Sequence, residues 1–305
     1  MPAGSSLARK AVKAAVLPGG IVTRRRPGDV VILLYHRVAG LGGEIDTPPA
    51  LFERQLADLA EHERVLTLDQ ALDGRAGGGV VVTVDDGYRD FYRVAYPLLR
   101  KYRIPATLFA VTGFIDRRCW LWVDRVTWCL GDTDEARAVK EELKQLPLPE
   151  RDARLAELEA TTGRRVPAEI PPRYEPCTWD DLREMAREGV EVGAHTVTHP
   201  ILSRVADPAW EIVESKRRIE AELQRPALHF AYPNGGWQDF GADAVRVVRA
   251  NFLTGVAAVS GWNHAGTDLH QLYRTAVPCE RPLPNFARRL AGLRAAVRIG
   301  QPRTV

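Results

Sequence analysis

The chain has 305 residues, 45% of them hydrophobic, and 42 Lys plus Arg against 39 Asp plus Glu give a net charge of +3. That length and apolar content suffice for one large core, since an α/β barrel of this size folds as a single domain, and so small a charge argues against a general polyanion-binding surface or nucleic acid as a partner. Four cysteines, Cys119, Cys129, Cys177 and Cys279, lack CxxC spacing, which argues against a zinc ribbon or a dense disulfide scaffold and leaves buried free thiols.

Residues 1–28 form a basic segment with Arg9, Lys10, Lys13, Arg24, Arg25 and Arg26 and no acid before Asp29. Lys13 interrupts the apolar stretch from Ala11 to Leu17, and Pro18-Gly19-Gly20 ends it, so no export signal is read. No later stretch approaches the roughly 20 apolar residues of a membrane-spanning helix. The expected location is cytoplasmic. On a helix Leu7, Ala11, Ala14, Ala15 and Val16 gather loosely on one side, so peripheral attachment to an anionic membrane at its inner face, mainly through charge, is a further expectation.

From residue 29 onward, β-branched runs alternate with segments of helical spacing. Strands are predicted at Val30 to Tyr35, Val80 to Val84, Thr107 to Val111, Val190 to Ala194 and His229 to Tyr232. Helices are predicted at Phe52 to Glu61, Asp90 to Tyr102, Trp179 to Glu188, Ala209 to Gln224 and Asp243 to Asn251. This order predicts a parallel sheet covered by helices, either doubly wound or closed as a barrel. Residues 117–176 break the alternation and read as a helical insertion. Its Trp120, Trp122 and Trp128 are assigned to packing rather than to covering a site. The main domain is taken as 29–298 and residues 299–305 as a tail.

Candidate site residues stand where predicted strands end, and in parallel α/β folds those ends share the functional face. They are His36, the pair Asp85-Asp86 before Gly87, His195, and Pro233-Asn234. Of two adjacent carboxylates, one can bind a metal while the other serves as a base, because neighbouring side chains leave a strand in different directions. His195 and His199 have the spacing at which two imidazoles share one metal if the chain turns helically there. Two imidazoles and one carboxylate leave positions open for water, which describes a catalytic rather than a structural metal site.

Val82-Thr83-Val84-Asp85-Asp86-Gly87-Tyr88 resembles the first signature of the polysaccharide deacetylases, the NodB-homology carbohydrate esterases, and Val192-Gly193-Ala194-His195-Thr196-Val197-Thr198-His199-Pro200 resembles the second. The resemblance runs from about Val30 to Leu290. It implies a distorted (β/α) barrel, a divalent metal on Asp86, His195 and His199, and Asp85 as catalytic base. Zinc is the expected metal, with Co, Ni, Mn and Fe as alternatives. The stretch that matches the third signature, Phe230-Ala231-Tyr232-Pro233-Asn234-Gly235, has Ala231 where the family places the Arg that orients the base. The late Leu-x-His segment is also missing, since Leu269-His270 lacks its surroundings. Tyr35-His36-Arg37-Val38 instead resembles the early acid histidine of the poly-N-acetylglucosamine deacetylase branch, which assigns that role to His36.

The implied reaction removes the acetyl group from an N-acetylated sugar. It needs an activated water, a base (Asp85), an acid for the leaving amine (His36), and donors for the oxyanion, expected in the Tyr232-Pro233-Asn234 loop. O-acetyl esterase activity and a non-catalytic sugar-binding relative are the alternatives. An Fe(II) oxygenase, with a similar ligand set, is disfavoured by the order of the ligands and by the α/β pattern.

Overall fold

In a computed structural model of the protein, the described residues are 28–43, 45–72, 77–277 and 279. The basic segment, apart from Gly28, and the tail 299–305 lie outside them, and so does the expected membrane attachment. Among the described residues no helix is long and apolar enough to cross a membrane.

Five strands stand where the β-branched runs predict them: β1 (Val30–Tyr35), β3 (Gly79–Val84), β4 (Ala106–Ala110), β5 (Glu191–Ala194) and β6 (His229–Ala231). Three shorter strands, β2 (Val65–Leu66), β7 (Thr254–Val256) and β8 (Thr275–Ala276), carry too few residues to stand out in the sequence. The helices are α1 (Pro49–His62), α2 (Leu68–Leu72), α3 (Tyr96–Tyr102), α4 (Thr112–Ile115), α5 (Trp122–Leu130), α6 (Asp134–Leu143), α7 (Leu148–Thr162), α8 (Trp179–Arg187), α9 (Pro208–Leu223) and α10 (Ala242–Asn251). Their starts are set by local chemistry. Thr178 and Asp181 form a reciprocal capping box at α8, while the Asp207 carboxylate and Pro208 open α9.

The strands form one parallel sheet in the order β7-β6-β5-β4-β3-β1-β8, with β2 beside β3. One stretch of chain brings its two ends together: Leu272 bridges to Val256 in β7, and Thr275 pairs with Leu33 in β1. The sheet is thereby curled into a distorted barrel rather than left as an open doubly wound sheet.

Strand alternation sorts the side chains. Val31, Leu33, Val80, Val82 and Leu108 face outward, onto Phe52 and Leu56 of α1, Leu99 of α3 and Met185 of α8. Ile32, Val81, Phe109, Ala231 and Val256 meet inside. Asp85 continues the inward register of Val81 and Thr83, and His195 continues that of Gly193. The chemistry-bearing residues are thus the last inward positions of their strands.

The insertion is helical, as expected, and includes α6 and α7. With α5 they close around Trp122, Val126, Ala136, Leu143 and Leu155. Trp120 and Trp128 pack on Tyr174. The cysteines are free thiols, with Cys129 and Cys177 buried and Cys119 and Cys279 half-buried.

Gly193 fits Phe109 into the barrel. A Cβ at Gly193 would lie 2.5 Å from Phe109 Cε1 and 2.8 Å from the His229 carbonyl oxygen, and backbone on one side leaves little room to yield. Gly193→Ala is expected to destabilise the fold by about 1–3 kcal/mol through overpacking. Urea unfolding measures this, and an unchanged midpoint at constant slope would show that the interior is slack there.

Candidate active site

At the carboxyl end of the barrel, Asp86, His195 and His199 bring one carboxylate oxygen and two imidazole nitrogens within 4.8 Å of one another. Nε2 of His195 lies 3.6 Å from Asp86 Oδ1, and Nε2 of His199 lies 3.5 Å from the same oxygen. Nδ1 of His195 bonds the Ala231 carbonyl oxygen at 2.7 Å. Because a carbonyl only accepts, Nδ1 carries the hydrogen and Nε2 keeps its lone pair for the centre of the group. All three residues are buried. Burial, reinforced by Asp85 and Asp124, holds the Asp86 carboxyl well above its ordinary value, while burial and His195 push the His199 imidazole well below its own. A carboxylate that is costly as a lone anion, facing two imidazoles that are costly as cations, fits a divalent cation between them.

The histidine pair is not on a helix. The chain from His195 to His199 is a loop in which Thr196 and His199 take left-handed φ values of 69° and 57°. The expected helical turn is thus corrected: the imidazoles converge because the loop folds back. The Thr196 hydroxyl accepts the His199 N–H at 3.0 Å. The buried Glu211 of α9 accepts the N–H groups of Val197 and Thr198 at 2.8 and 2.9 Å. Asp86 (φ 75°) and Asn234 (φ 57°) are also left-handed, so the site concentrates backbone conformations that non-glycine residues rarely adopt. The sequence reading missed Glu211, because nothing in a charged amphipathic helix marks one carboxylate as turned inward.

Asp85 is oriented by Arg274. The guanidinium, 1% exposed, donates from Nη1 to Asp85 Oδ1 at 2.6 Å and from Nη2 to Oδ2 at 2.8 Å. Its Nε donates to the Ala257 carbonyl at 2.9 Å. Burial alone would raise the Asp85 carboxyl, but Arg274, with His195 and His36, brings it down to about 2. Arg274 does what Ala231 cannot, from 189 positions away in sequence. It sits in the seam between Leu272 at β7 and Thr275 of β8. A late extended stretch, needed to close a parallel barrel, carrying one arginine beside a short apolar run was the available signal.

The cavity in front of these residues has a volume of ≈ 470 Å³ and is also lined by His36, Asn234 and Asp124. His36 is half-buried; burial outweighs the pull of Asp85 and lowers its pKa to about 4, below the near-neutral range expected from the sequence. Asn234 lines the cavity, and its buried Nδ2 has no hydrogen-bond partner. Tyr232 does not: it follows the inward Ala231, turns outward, stacks on Phe240 at 3.8 Å and donates to the His270 carbonyl. Pro233 is not in the lining either. His270 bonds the Phe252 carbonyl, outside the cavity. Asp124, on α5 and unforeseen, accepts from the Tyr88 hydroxyl at 2.8 Å, and burial raises its carboxyl to about 6. The insertion supplies one wall through Asp124, Thr127, Lys140 and Tyr174, so it covers the site as well as packing, although none of its tryptophans takes part.

The family model for polysaccharide deacetylases matches residues 74–250, more than half of the chain. The chain belongs to the polysaccharide deacetylase family. The deacetylase YxkH of Bacillus subtilis (strain 168), itself described as a candidate polysaccharide deacetylase, is 20% identical over 268 residues, 84% of this chain and 74% of that protein. A poly-β-1,6-N-acetyl-D-glucosamine N-deacetylase of Staphylococcus aureus (strain MSSA476) is 39% identical over 70 residues, 21% of this chain and 24% of that protein. Among solved structures, the deacetylase PplD of Streptococcus pyogenes, in complex with acetate, superposes with a TM-score of 0.61 at 22% identity, covering 88% of this chain and 99% of that one. At that identity the likeness speaks for the fold, the distorted barrel of this family. His36 and Arg274 both fall outside the matched residues, and pairing of β8 with β1 brings their segments together.

Removing the guanidinium should therefore expose Asp85 to the full effect of burial. Arg274→Met is expected to cost about 3–5 kcal/mol at pH 7. The sign follows from a folded pKa of about 2 against an ordinary 3.8: the pair's contribution is complete above about pH 4 and is lost as pH falls towards 2. Chemical denaturation of both proteins between pH 7 and 2 should show the curves converging at the acid end. Parallel curves over that span would mean the carboxylate is not held by Arg274.

Proposed function

We propose that this carbohydrate deacetylase hydrolyses the N-acetyl group of an amino sugar in a glycan or glycoconjugate, with a divalent metal on Asp86, His195 and His199. The observation that carries the reading is the convergence of both imidazole Nε2 atoms on Asp86 Oδ1, next to a carboxylate fixed by Arg274. The partial match to a poly-β-1,6-N-acetyl-D-glucosamine N-deacetylase favours an N-acetylglucosamine-containing substrate. A metal held there would supply Lewis-acid polarisation of the acetyl carbonyl and a lowered water pKa.

Asp85, ionised throughout the physiological range, is the proton acceptor for the attacking water. Arg274 bonds both of its oxygens, which restrains rotation of the carboxylate. The Asn234 amide is a donor for the acetyl oxygen or a neighbouring sugar hydroxyl. An amine leaves only once protonated. His36 is neutral at rest, so it must gain a proton during turnover; the one that Asp85 takes from the attacking water is the source, and the negative charge growing on the tetrahedral oxyanion raises the affinity of His36 for it. Asp124, with its carboxyl near 6 in the same cavity, is a second candidate donor. The chief support for a non-catalytic relative, Ala231, loses force once Arg274 is seen to hold the base.

Purified protein is expected to carry about one metal in this site per chain and to release acetate from N-acetylglucosamine oligomers, with chelation abolishing the activity. His195→Ala and His199→Ala should lose that metal and the activity together. Asp85→Asn should retain the metal and lose at least about a hundredfold in kcat. Acetate release undiminished by complete metal removal would sink the assignment.

Amide and activated-ester substrates distinguish the acids, because an activated ester's leaving group needs no protonation. If His36 donates, His36→Ala should impair the amide at least about tenfold more than the ester, and Asp124→Asn should not discriminate. The opposite pattern would transfer the role to Asp124.

A further inference from the structure

A second set of ligand-type side chains converges at the other end of the barrel. His229 opens β6, Glu191 opens β5, and Asp69 belongs to α2, which follows β2. One ligand atom from each lies within 4.8 Å of the others. Among the described residues this group and Asp86, His195 and His199 are the two with such spacing. Four residue steps lead from Glu191 to His195, so the two groups stand about 13 Å apart along the barrel.

His229 is the observation that points to a ligand. It is 3% exposed, and its Nε2 is buried without a hydrogen-bond partner. That nitrogen faces Asp69 Oδ1 at 3.3 Å, and Nδ1 lies 2.9 Å from Thr254 Oγ1. The threonine hydroxyl can accept or donate; in the tautomer whose Nδ1–H donates to it, Nε2 presents a lone pair to carboxylate oxygens, which is repulsive until a proton or a cation stands between them. Glu191 is held in place: its Oε2 accepts from the Thr107 hydroxyl at 2.6 Å and from the Leu68 N–H at 3.3 Å. An imidazole oriented from behind by a hydroxyl and a carboxylate fixed by two donors are what preorganised metal ligands require. Asp69 is half exposed, which leaves the group a way in and room for water ligands.

We propose that Asp69, Glu191 and His229 bind a second divalent transition-metal ion, of the zinc or cobalt class, that is remote from catalysis. One imidazole and two carboxylates suit these ions, and water completes the coordination. The ion ties α2 to the first residues of β5 and β6, closing the amino-terminal end of the barrel as Arg274 closes the carboxyl end.

The test is calorimetric titration of chelator-stripped full-length protein with Co(II), followed by thermal unfolding with and without the ion. Wild type is expected to bind two equivalents. Asp69→Asn and Glu191→Gln should each bind one and keep acetate release once reloaded. Both should fold, because Asp69 is partly exposed and the side-chain amide oxygen in Glu191→Gln can still accept from Thr107 and Leu68. His195→Ala should also bind one equivalent, and Co(II) should raise its melting temperature. The double variant Asp69→Asn/His195→Ala should bind none and show no shift. A single equivalent in wild type that survives Asp69→Asn and Glu191→Gln but vanishes in His195→Ala overturns the second site alone and leaves a proton-sharing His–Asp pair. A single equivalent that survives His195→Ala and vanishes in Asp69→Asn overturns the catalytic assignment instead.

Discussion

A carboxylate and a guanidinium, both almost wholly removed from water, meet inside this barrel through two parallel hydrogen bonds, and much of the architecture ensures that neither is left alone. Either ion buried singly would cost several kcal/mol. The Ala257 carbonyl takes the remaining Nε–H of Arg274, and Thr83 lies 3.3 Å from Nη1. The pair also couples closure of the fold to its chemistry. Arg274 is reached only after the chain has passed β7, and it finds Asp85 only if β8 docks on β1. A barrel that failed to close would leave Asp85 without its orienting group.

The charge balance around the neighbouring residues follows from that pairing. Arg37 and Arg274 both favour the Asp86 anion, but burial with Asp85 and Asp124 outweighs them, so it remains unfavourable as an anion. Two adjacent carboxylates are thereby given opposite fates. One is neutralised by a fixed cation of the chain, and the other faces two neutral imidazoles. A single Asp-Asp dipeptide thus yields two carboxylates of opposite charge preference without any difference in residue type.

What the sequence made legible was whatever depends on runs and spacing. Val30 to Tyr35 and Val80 to Val84 are long enough for β-branched content to betray a buried strand, and the residues at their ends could be placed on one face. Two-residue strands such as β2 and β8 have no periodicity to read, so the closing segment and Arg274 within it were hidden. The histidine spacing pointed to two imidazoles that converge, as they do, but with the wrong backbone, because left-handed conformations at Thr196 and His199 are set by the Glu211 carboxylate and by the Thr196 hydroxyl, which no local preference announces. Tyr232 was assigned to the site by proximity in sequence, and strand alternation sent it to the opposite side.

The insertion gives the molecule a division of labour that bears on how new specificities could arise. Its helices α5, α6 and α7 close around an apolar cluster that borrows one residue, Ile201, from the barrel, and they contribute a whole wall of the cavity. Asp85, Asp86, His195, His199 and His36 all come from the barrel itself, and the insertion adds Asp124 to the same cavity. Replacing the wall while keeping Asp124 would therefore alter the shape of the cavity and leave the five barrel residues where they are. A lineage could exchange substrates by recombination at residues 117–176, with the barrel conserved as a chassis, and a protein engineer could follow the same route by grafting.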